Sequence, residues 1–487
     1  MSDAMVVHEA QTRSTVQVRL ADGRVFEGPA GAPLADFMAV AYPQPTRFPV
    51  VAALVEDELE ELTYRVSHDV DAVPVDTRST DGLRIYQRSM LFVMLVAARE
   101  LYPEAQIIVD HSVTLGGFYC QVRGRERFSP DELQAISSRM RAIVAADEPI
   151  ERTVVPTAEA VRLFAAQGYE DKVRLLAFRD DPEIAVYRLR GVVDYFYGYM
   201  VPATGSLNGF ELQDYPPGMI LRLTGGNSLL PLHSHRDYPK LMGVFREYGE
   251  WLRILGVEDV GSLNQAAVEN GLKREVLVAE ALHEKRLAEV ADEIKSRPEV
   301  RVVLVAGPSS SGKTTFAKRL AVQLMVNGLR PFPLALDDYF VDRERTPCDE
   351  NGEYDFESLD AIDRSLFVEQ LLALMAGDAV TLRQYDFGTG RNSPGRTVRL
   401  PANAIIIVEG IHGLNPRLAE GLPSERVFRI YVSALTQLNL DHHNRVSTTD
   451  TRLLRRLVRD AQYRNYAAQE TIARWPSVRR GEERNIF

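Results

Sequence analysis

From Thr15 the residues VQVRL alternate apolar and polar, ADGR breaks the alternation, and VFEG resumes it, the pattern of a β-hairpin. PLADFMAVAY then has helical spacing and stops at Pro43, and VVAALVEDELEELTYRV returns to strand-like pieces. These segments predict a small α+β unit over residues 15–77, preceded by a tail over 1–14. The acidic run Glu56–Glu61 reads as a solvated face. Asp81–Pro103 is helical in period but apolar on nearly every side, so it predicts a buried helix. A strand, a Gly-Gly turn and a second strand follow in IIVDHSVTLGGFYCQVRG. SPDELQ opens a helix with Ser129 as cap, Pro130 at the first helical position and Glu132 completing a capping box. TAEAVRLFAAQG reads the same way, with Thr157 as cap and Gly168 as stop. Strand-like pieces continue to Leu223 and complete a second α+β unit over 78–223.

Residues 224–298 read as a helical connector, with helices over Tyr238–Leu255 and Leu263–Ser296. From 299 to 487 the rhythm becomes strand, loop, helix. RVVLVAG, PFPLAL, AIIIVEG and VFRIYVSA are short apolar runs between turn signals, as in the buried parallel strands of an α/β sheet. The predicted fold is therefore multidomain, with α+β units in front and a parallel sheet flanked by helices behind.

The first of these strands runs into GPSSSGKTT, from Gly307 through Pro308, Ser309, Ser310, Ser311, Gly312, Lys313 and Thr314 to Thr315, and a helical pattern follows. Strand, spacing and helix together meet the requirement of a phosphate-binding loop. Its amides and the helix N-terminus suit ATP phosphates, Lys313 reaches the β/γ-phosphates, and Thr314 suits Mg²⁺. Such a loop serves GTPases, motors and small-molecule kinases alike. Asp337, at the end of the next strand, favours a kinase, because a carboxylate there can accept the proton of an attacking hydroxyl. Glu409 ends another apolar strand and reads as a second magnesium anchor. Asp441–Phe487 holds ten arginines and no lysine, the composition of a lid that closes on phosphate.

Composition narrows the class. The chain has 487 residues, 45% hydrophobic and 26% charged, an ordinary globular balance, and a net charge of −11 that disfavours non-specific nucleic-acid binding. Two cysteines, Cys120 and Cys348, exclude a disulfide framework and suit a reducing, cytoplasmic compartment. Cys120 lies in a strand pattern and is expected in the core. The longest apolar run, Leu91–Ala98, is too short for a membrane span. The pairs His233/His235 and His442/His443 lack the companions of a metal site.

GPSSSGKTT, LDDYF, YDFESLDAID, YDFGTGR, VEGIHGL and TRLLRRLVRD, in that order, resemble the uridine kinase and phosphoribulokinase family of P-loop kinases. The resemblance implies ATP-dependent phosphorylation of a nucleoside 5′-hydroxyl with Mg²⁺. It makes Asp337 the base, Thr314 and Glu409 the metal ligands, and Arg456 and Arg459 lid arginines acting with Lys313. It places Tyr339, Glu357, Tyr385 and Arg456 around the acceptor, together with Asp337. Two departures bear on the acceptor. The stretch GTGRNSPGR lacks the histidine that uridine kinases carry there, and Arg464-Asn465-Tyr466 replaces Arg-Gly-Arg. A phosphorylated pentose is the alternative acceptor. In that family a further strand and helix follow the lid, so a sheet one strand short, or a fragment, is expected here.

Residues 15–77 resemble a TGS domain, a ubiquitin-like module. Residues 78–223 resemble the second additional, editing domain of threonyl-tRNA synthetase, through DGLRIYQRSMLFVMLVAARELYPEA, GGFYCQV and VVDYFYGYMVPATG. The four functional positions of that domain fall on Arg88, Phe92, Phe196 and Met200, none of which can replace its histidines and cysteine. Loss of editing is therefore expected. RNA binding, a translation-linked role with the kinase site as nucleotide sensor, and homo-oligomerisation stay open.

Overall fold

In this computed structural model, residues 13–43, 47–113, 116–223, 239–348, 352, 354–435 and 438–485 are described. They form two compact units: 1–269 with 438–445, and 270–437 with 446–487.

The first unit begins with the expected hairpin, Thr15–Leu20 against Val25–Pro29. It extends to a five-stranded sheet in which Thr15–Leu20 runs parallel to Val70–Asp76. The helix Leu34–Ala41 buries Leu34, Phe37 and Met38, which join Val18 and Val66 in one core. In the acidic run Glu56, Asp57 and Glu58 are exposed as expected, and the far end departs from the expectation. Glu61, at the end of strand Glu58–Glu61, is buried and lies within 3.4 Å of the Tyr187 hydroxyl.

The helix Thr80–Leu101 is the axis of the next core, with every residue from Ser89 to Ala98 buried. Ser79 caps it by accepting from the amide of Gly82 at 3.0 Å. Such helices derive their stability from packing more than from propensity, and truncating Phe92 to alanine would cost about 3–5 kcal/mol. A four-stranded antiparallel sheet, ordered Phe210–Tyr215, Gly218–Leu223, Gly117–Arg123, Gln106–Ser112, shares this core through Cys120, Leu221 and Ile107. Cys120 is fully buried, as expected. The helix Pro130–Ala145 carries the full capping box of Ser129 and Glu132. Thr157 does not cap the helix Thr157–Gln167. Proline 156 occupies the cap position, and the Thr157 hydroxyl donates to the Asp181 carbonyl at 2.6 Å instead. Gly168 ends that helix as expected.

The helical pattern over Leu263–Ser296 is two helices, Val260–Asn270 and Lys273–Lys295. The chain breaks at Gly271 and Leu272, whose φ angles of 68° and 57° are left-handed.

In the second unit the four apolar runs form one parallel sheet, ordered Arg330–Ala335, Ala404–Glu409, Val302–Ala306, Val427–Tyr431. Residues 302–306 are all buried, because helices cover both faces of the sheet. Lys273–Lys295 and Lys313–Val326 supply Leu287, Ile294, Leu320 and Leu324 on one face. Arg364–Ala376 supplies Phe367, Leu371 and Leu374 on the other. The helices Thr448–Tyr463 and Ala468–Asn485 follow the last strand. No helix among the described residues is long and apolar enough to cross a membrane. The pair His233/His235 lies outside the described residues.

Candidate active site

The C-terminal ends of parallel strands form the edge at which α/β sheets bind ligands. The chain leaves that edge at Gly307 so close to its neighbour that a Cβ there would lie 1.9 Å from the Val432 carbonyl oxygen. The loop 307–312 then turns into the helix Lys313–Val326, whose first-turn amides have no acceptor within the helix. Lys313 is half-buried, and its Nζ donates to the Pro308 carbonyl at 3.1 Å. Burial pulls its pKa down, and the carboxylates of Glu409, Asp337, Glu357 and Glu482 oppose that pull. Lys313 thus lies in the field of four acids, of which Glu482 is paired with Arg452 and Glu357 is countered by Arg456.

Asp337 and Asp338 sit in a single helical turn at the end of Arg330–Ala335. Asp337 is exposed as a residue, yet the surrounding protein still withdraws water from its carboxyl. Desolvation raises its pKa, Lys313 lowers it, and Glu409 and Asp338 raise it further. Asp338 is committed differently, within 3.4 Å of the Tyr385 amide. Glu357 is pushed up to about 7, first by burial and then by Glu482, against Arg456 and Lys313.

Thr314 Oγ1 donates to Glu409 Oε1 at 2.5 Å. A hydroxyl and a carboxylate side by side form an all-oxygen set that suits Mg²⁺, which completes its octahedron with water and phosphate oxygens. No group of three or more His, Cys, Asp or Glu side chains placed to hold a metal occurs among the described residues.

The arginine-rich helix supplies cations to the loop. Arg456 Nη1 donates to Ser309 Oγ at 3.0 Å. Arg459 does not reach the loop through a hydrogen bond; it pairs with Asp460 at 2.7 Å. Two residues missed in the sequence take that place. Arg452 Nη1 donates to the Ser309 carbonyl at 3.1 Å, and Arg455 Nε donates to the Ser310 carbonyl at 2.9 Å. Arg452 lies four residues before Arg456, on the same helical face, and that spacing was the available signal. Glu482 was also missed. It binds Arg452 through both oxygens at 2.5 and 2.8 Å and accepts from the Ser309 amide at 2.8 Å. Nothing local marks Glu482, because it reaches the loop only when Ala468–Asn485 folds back. That return is tight: a Cβ on Gly481 would lie 2.4 Å from the Glu357 Cβ.

The expected acceptor residues divide. Glu357, Asp337 and Arg456 share the electrostatic field of Lys313 or of one another. Tyr385 is buried, packs on Phe340 and Phe387 with centroids 5.5 and 5.1 Å away, and its hydroxyl has no hydrogen-bond partner. Tyr339 departs from the expectation. Its ring is fully buried against Phe367 and its hydroxyl donates to Gln370 at 2.8 Å, so its side chain belongs to the core. His412, which the sequence reading passed over, is buried in the turn after Glu409, and burial pulls it down to about 4.

In the first unit the editing-type positions are filled. Phe92, Phe196 and Met200 are buried, and the two rings meet edge to face at 5.4 Å. Arg88 donates to the Tyr199 carbonyl, and burial draws its pKa down to about 10. No acid, histidine or thiol stands at these four positions.

A parallel sheet, a phosphate loop, an acid at the end of the neighbouring strand and an arginine helix over the loop define a P-loop kinase domain. Residues 302–484 match the phosphoribulokinase / uridine kinase family. Among solved structures, one described as a possible uridine kinase from Bacillus stearothermophilus is 28% identical, covering 27% of this chain and 70% of that one, with a TM-score of 0.23. D-glycerate 3-kinase from Cryptococcus neoformans is 14% identical, covering 41% and 87%, with a TM-score of 0.31. The N-terminal region matches threonine–tRNA ligases. That of Ralstonia nicotianae is 34% identical over 163 residues, covering 33% of this chain and 26% of the relative. That of Paraburkholderia xenovorans is 31% identical over 198 residues, covering 40% and 31%. The chain thus spans about a quarter to a third of the length of these relatives.

Proposed function

We propose that this protein transfers the γ-phosphate of ATP to the 5′-hydroxyl of a nucleoside, with uridine or cytidine as the first acceptor to test. The observation that carries the reading is Lys313, on the phosphate loop, in the same electrostatic field as Asp337 at the end of the adjoining strand. The acceptor oxygen attacks Pγ, the bond from Pγ to the β,γ-bridging oxygen breaks, and the hydroxyl proton passes to Asp337 as ADP leaves. Thr314 and Glu409 would hold Mg²⁺, which neutralises charge on the phosphates when bound. Lys313 and Arg456 supply the remaining positive charge, and the rest of the barrier falls by positioning. The cluster of Phe340, Tyr385 and Phe387, with Phe387 largely exposed, supports a flat base in the acceptor. The test is Mg·ATP turnover against a panel of nucleosides, with ribulose 5-phosphate as the alternative acceptor. Turnover with the pentose phosphate and none with nucleosides would overturn the assignment.

A further inference from the structure

Between its two glycines the phosphate loop contains a backbone turn that an L-residue seldom adopts. Gly307 and Gly312 take positive φ at no steric cost, but Ser310 takes it as well, at 59°. In that left-handed region the Cβ crowds the following carbonyl, which disfavours the conformation by about tenfold. Asparagine and aspartate can offset the cost with a hydrogen bond from their own side chain. Ser310 does not, since its hydroxyl is buried and has no hydrogen-bond partner. The turn is therefore held by groups outside the residue.

The last two helices of the same unit supply those groups. Each polar atom of Ser309 is taken by one of their side chains. Its amide donates to Glu482 Oε1 at 2.8 Å, its carbonyl accepts from Arg452 Nη1 at 3.1 Å, and its hydroxyl accepts from Arg456 Nη1 at 3.0 Å. The Ser310 carbonyl accepts from Arg455 Nε at 2.9 Å. Arg452 and Arg455 thus hold the two peptide planes that flank Ser310, and with them its φ. Arg452, Arg455 and Arg456 are three and four residues apart, so one face of Thr448–Tyr463 carries all three. Arg452 and Glu482 also bind each other with both side chains 1% exposed, and Arg452 lies over the Trp475 ring at 5.4 Å. A pair so buried touches the loop peptide and leaves the phosphates to other groups. Buried pairs are weak evidence for stability, because hydrocarbon in their place is often as good. What hydrocarbon cannot do is grip an N–H and a C=O of one residue.

We propose that Arg452, Arg455 and Glu482 are positioning residues that brace Ser309–Ser310, so that the left-handed turn of the phosphate loop keeps its shape independently of nucleotide. The brace holds the amides after the turn, and Lys313 with them, in fixed register. Nucleotide binding then avoids the cost of ordering the loop. That consequence rests on the kinase reading above; the brace on the backbone does not.

The test is hydrogen–deuterium exchange and Mg·ADP titration on the full-length protein. A double variant combines Arg452→Met with Glu482→Met, which replaces the buried pair by hydrocarbon of similar length. A triple variant adds Ser310→Gly. A third protein carries only Arg455→Ala, the loss of an exposed side chain. Peptide 366–374 reports on the core of the unit and peptide 306–312 on the loop. In the double variant 366–374 should exchange as in the parent, while 306–312 exchanges faster by about tenfold or more. Its Kd for Mg·ADP should rise by about tenfold. The triple variant should recover about threefold or more of that affinity, because glycine takes the left-handed turn unaided. A role in packing alone would not be rescued at residue 310. Arg455→Ala should speed exchange of the loop by about threefold. Unchanged loop exchange in a double variant with a protected core overturns the brace, as does failure of the rescue. Where the double variant unfolds, unchanged loop exchange in Arg455→Ala overturns it. A loop that loosens as expected, in a protein whose parent does not bind Mg·ADP, would leave the brace standing and defeat the kinase reading.

Discussion

Lys313 lies on the phosphate loop in the field of Asp337, Glu357, Glu409 and Glu482, so its truncation removes a positive charge from the place where phosphate is expected to bind. Lys313→Ala should abolish turnover in a normally folded protein; near-parental kcat in that variant would remove the phosphate-loop assignment. Asp337→Asn keeps the shape and loses the proton acceptor, so kcat should fall by about 10²–10⁴ while ATP binding persists. Asp338, held toward the Tyr385 amide, should tolerate the same change far better, and the reverse ranking would make Asp338 the base. Glu357 yields a stability prediction. Its folded pKa, about 7, lies above its ordinary 4.5, so the folded state binds the extra proton between those values. Stability from this group is present below pH 4.5 and is lost as pH rises through 7. Glu357→Gln should therefore be the more stable protein at pH 8, by at most about 3 kcal/mol, and should lose that advantage in acid, as followed by urea unfolding at the two pH values. An advantage that persists unchanged at pH 4 would show that the burial of Glu357 is not the cause.

The arginine helix shows what element-scale reading could and could not supply. RLLRRLVRD was legible as a basic helix because Arg452, Arg456 and Arg459 recur at helical spacing. Which of them reach the loop depends on the rotation of the helix about its axis, which the pattern leaves undetermined. Arg456 meets Ser309, whereas Arg459 turns to Asp460. Arg456→Ala should depress kcat more than it weakens ATP binding, and Arg459→Ala should change kcat little, because its partner is a neighbouring carboxylate. Equal loss in both variants would place the two on the same side of the reaction. Arg452 is unsuitable for this comparison, since it forms a buried pair with Glu482 and its truncation should unfold the helix contact first. The same distinction separates the strands from the caps. The four parallel strands were legible because burial on both faces leaves an uninterrupted apolar run, as in Val302–Ala306. Thr157 was misread as a cap because a Thr before a helical pattern satisfies the local rule, while the Asp181 carbonyl that takes its hydroxyl comes from a distant turn. Tyr339 was misplaced for a similar reason: Gln370, on another helix, draws it into the core.

At the scale of the whole molecule, the order of folds was legible in sequence, but the crossing of the chain was not. LNLDHHNR looks like an exposed polar loop until Lys172, more than 250 residues earlier, is placed against Asp441. The editing-type positions carry the last prediction. Hydrolysis of an ester needs a placed water and a group that polarises or deprotonates it. Phe92, Phe196 and Met200 fill those positions with packed hydrocarbon and thioether, and Arg88 spends its guanidinium on the Tyr199 carbonyl. The apolar helix Thr80–Leu101 keeps its partners, so the packing of the fold does not depend on those groups. The full-length protein incubated with seryl-tRNA(Thr) should release serine no faster than buffer does. Release well above that rate, abolished by a substitution in the first unit and not by Lys313→Ala, would mean that another group there performs the hydrolysis.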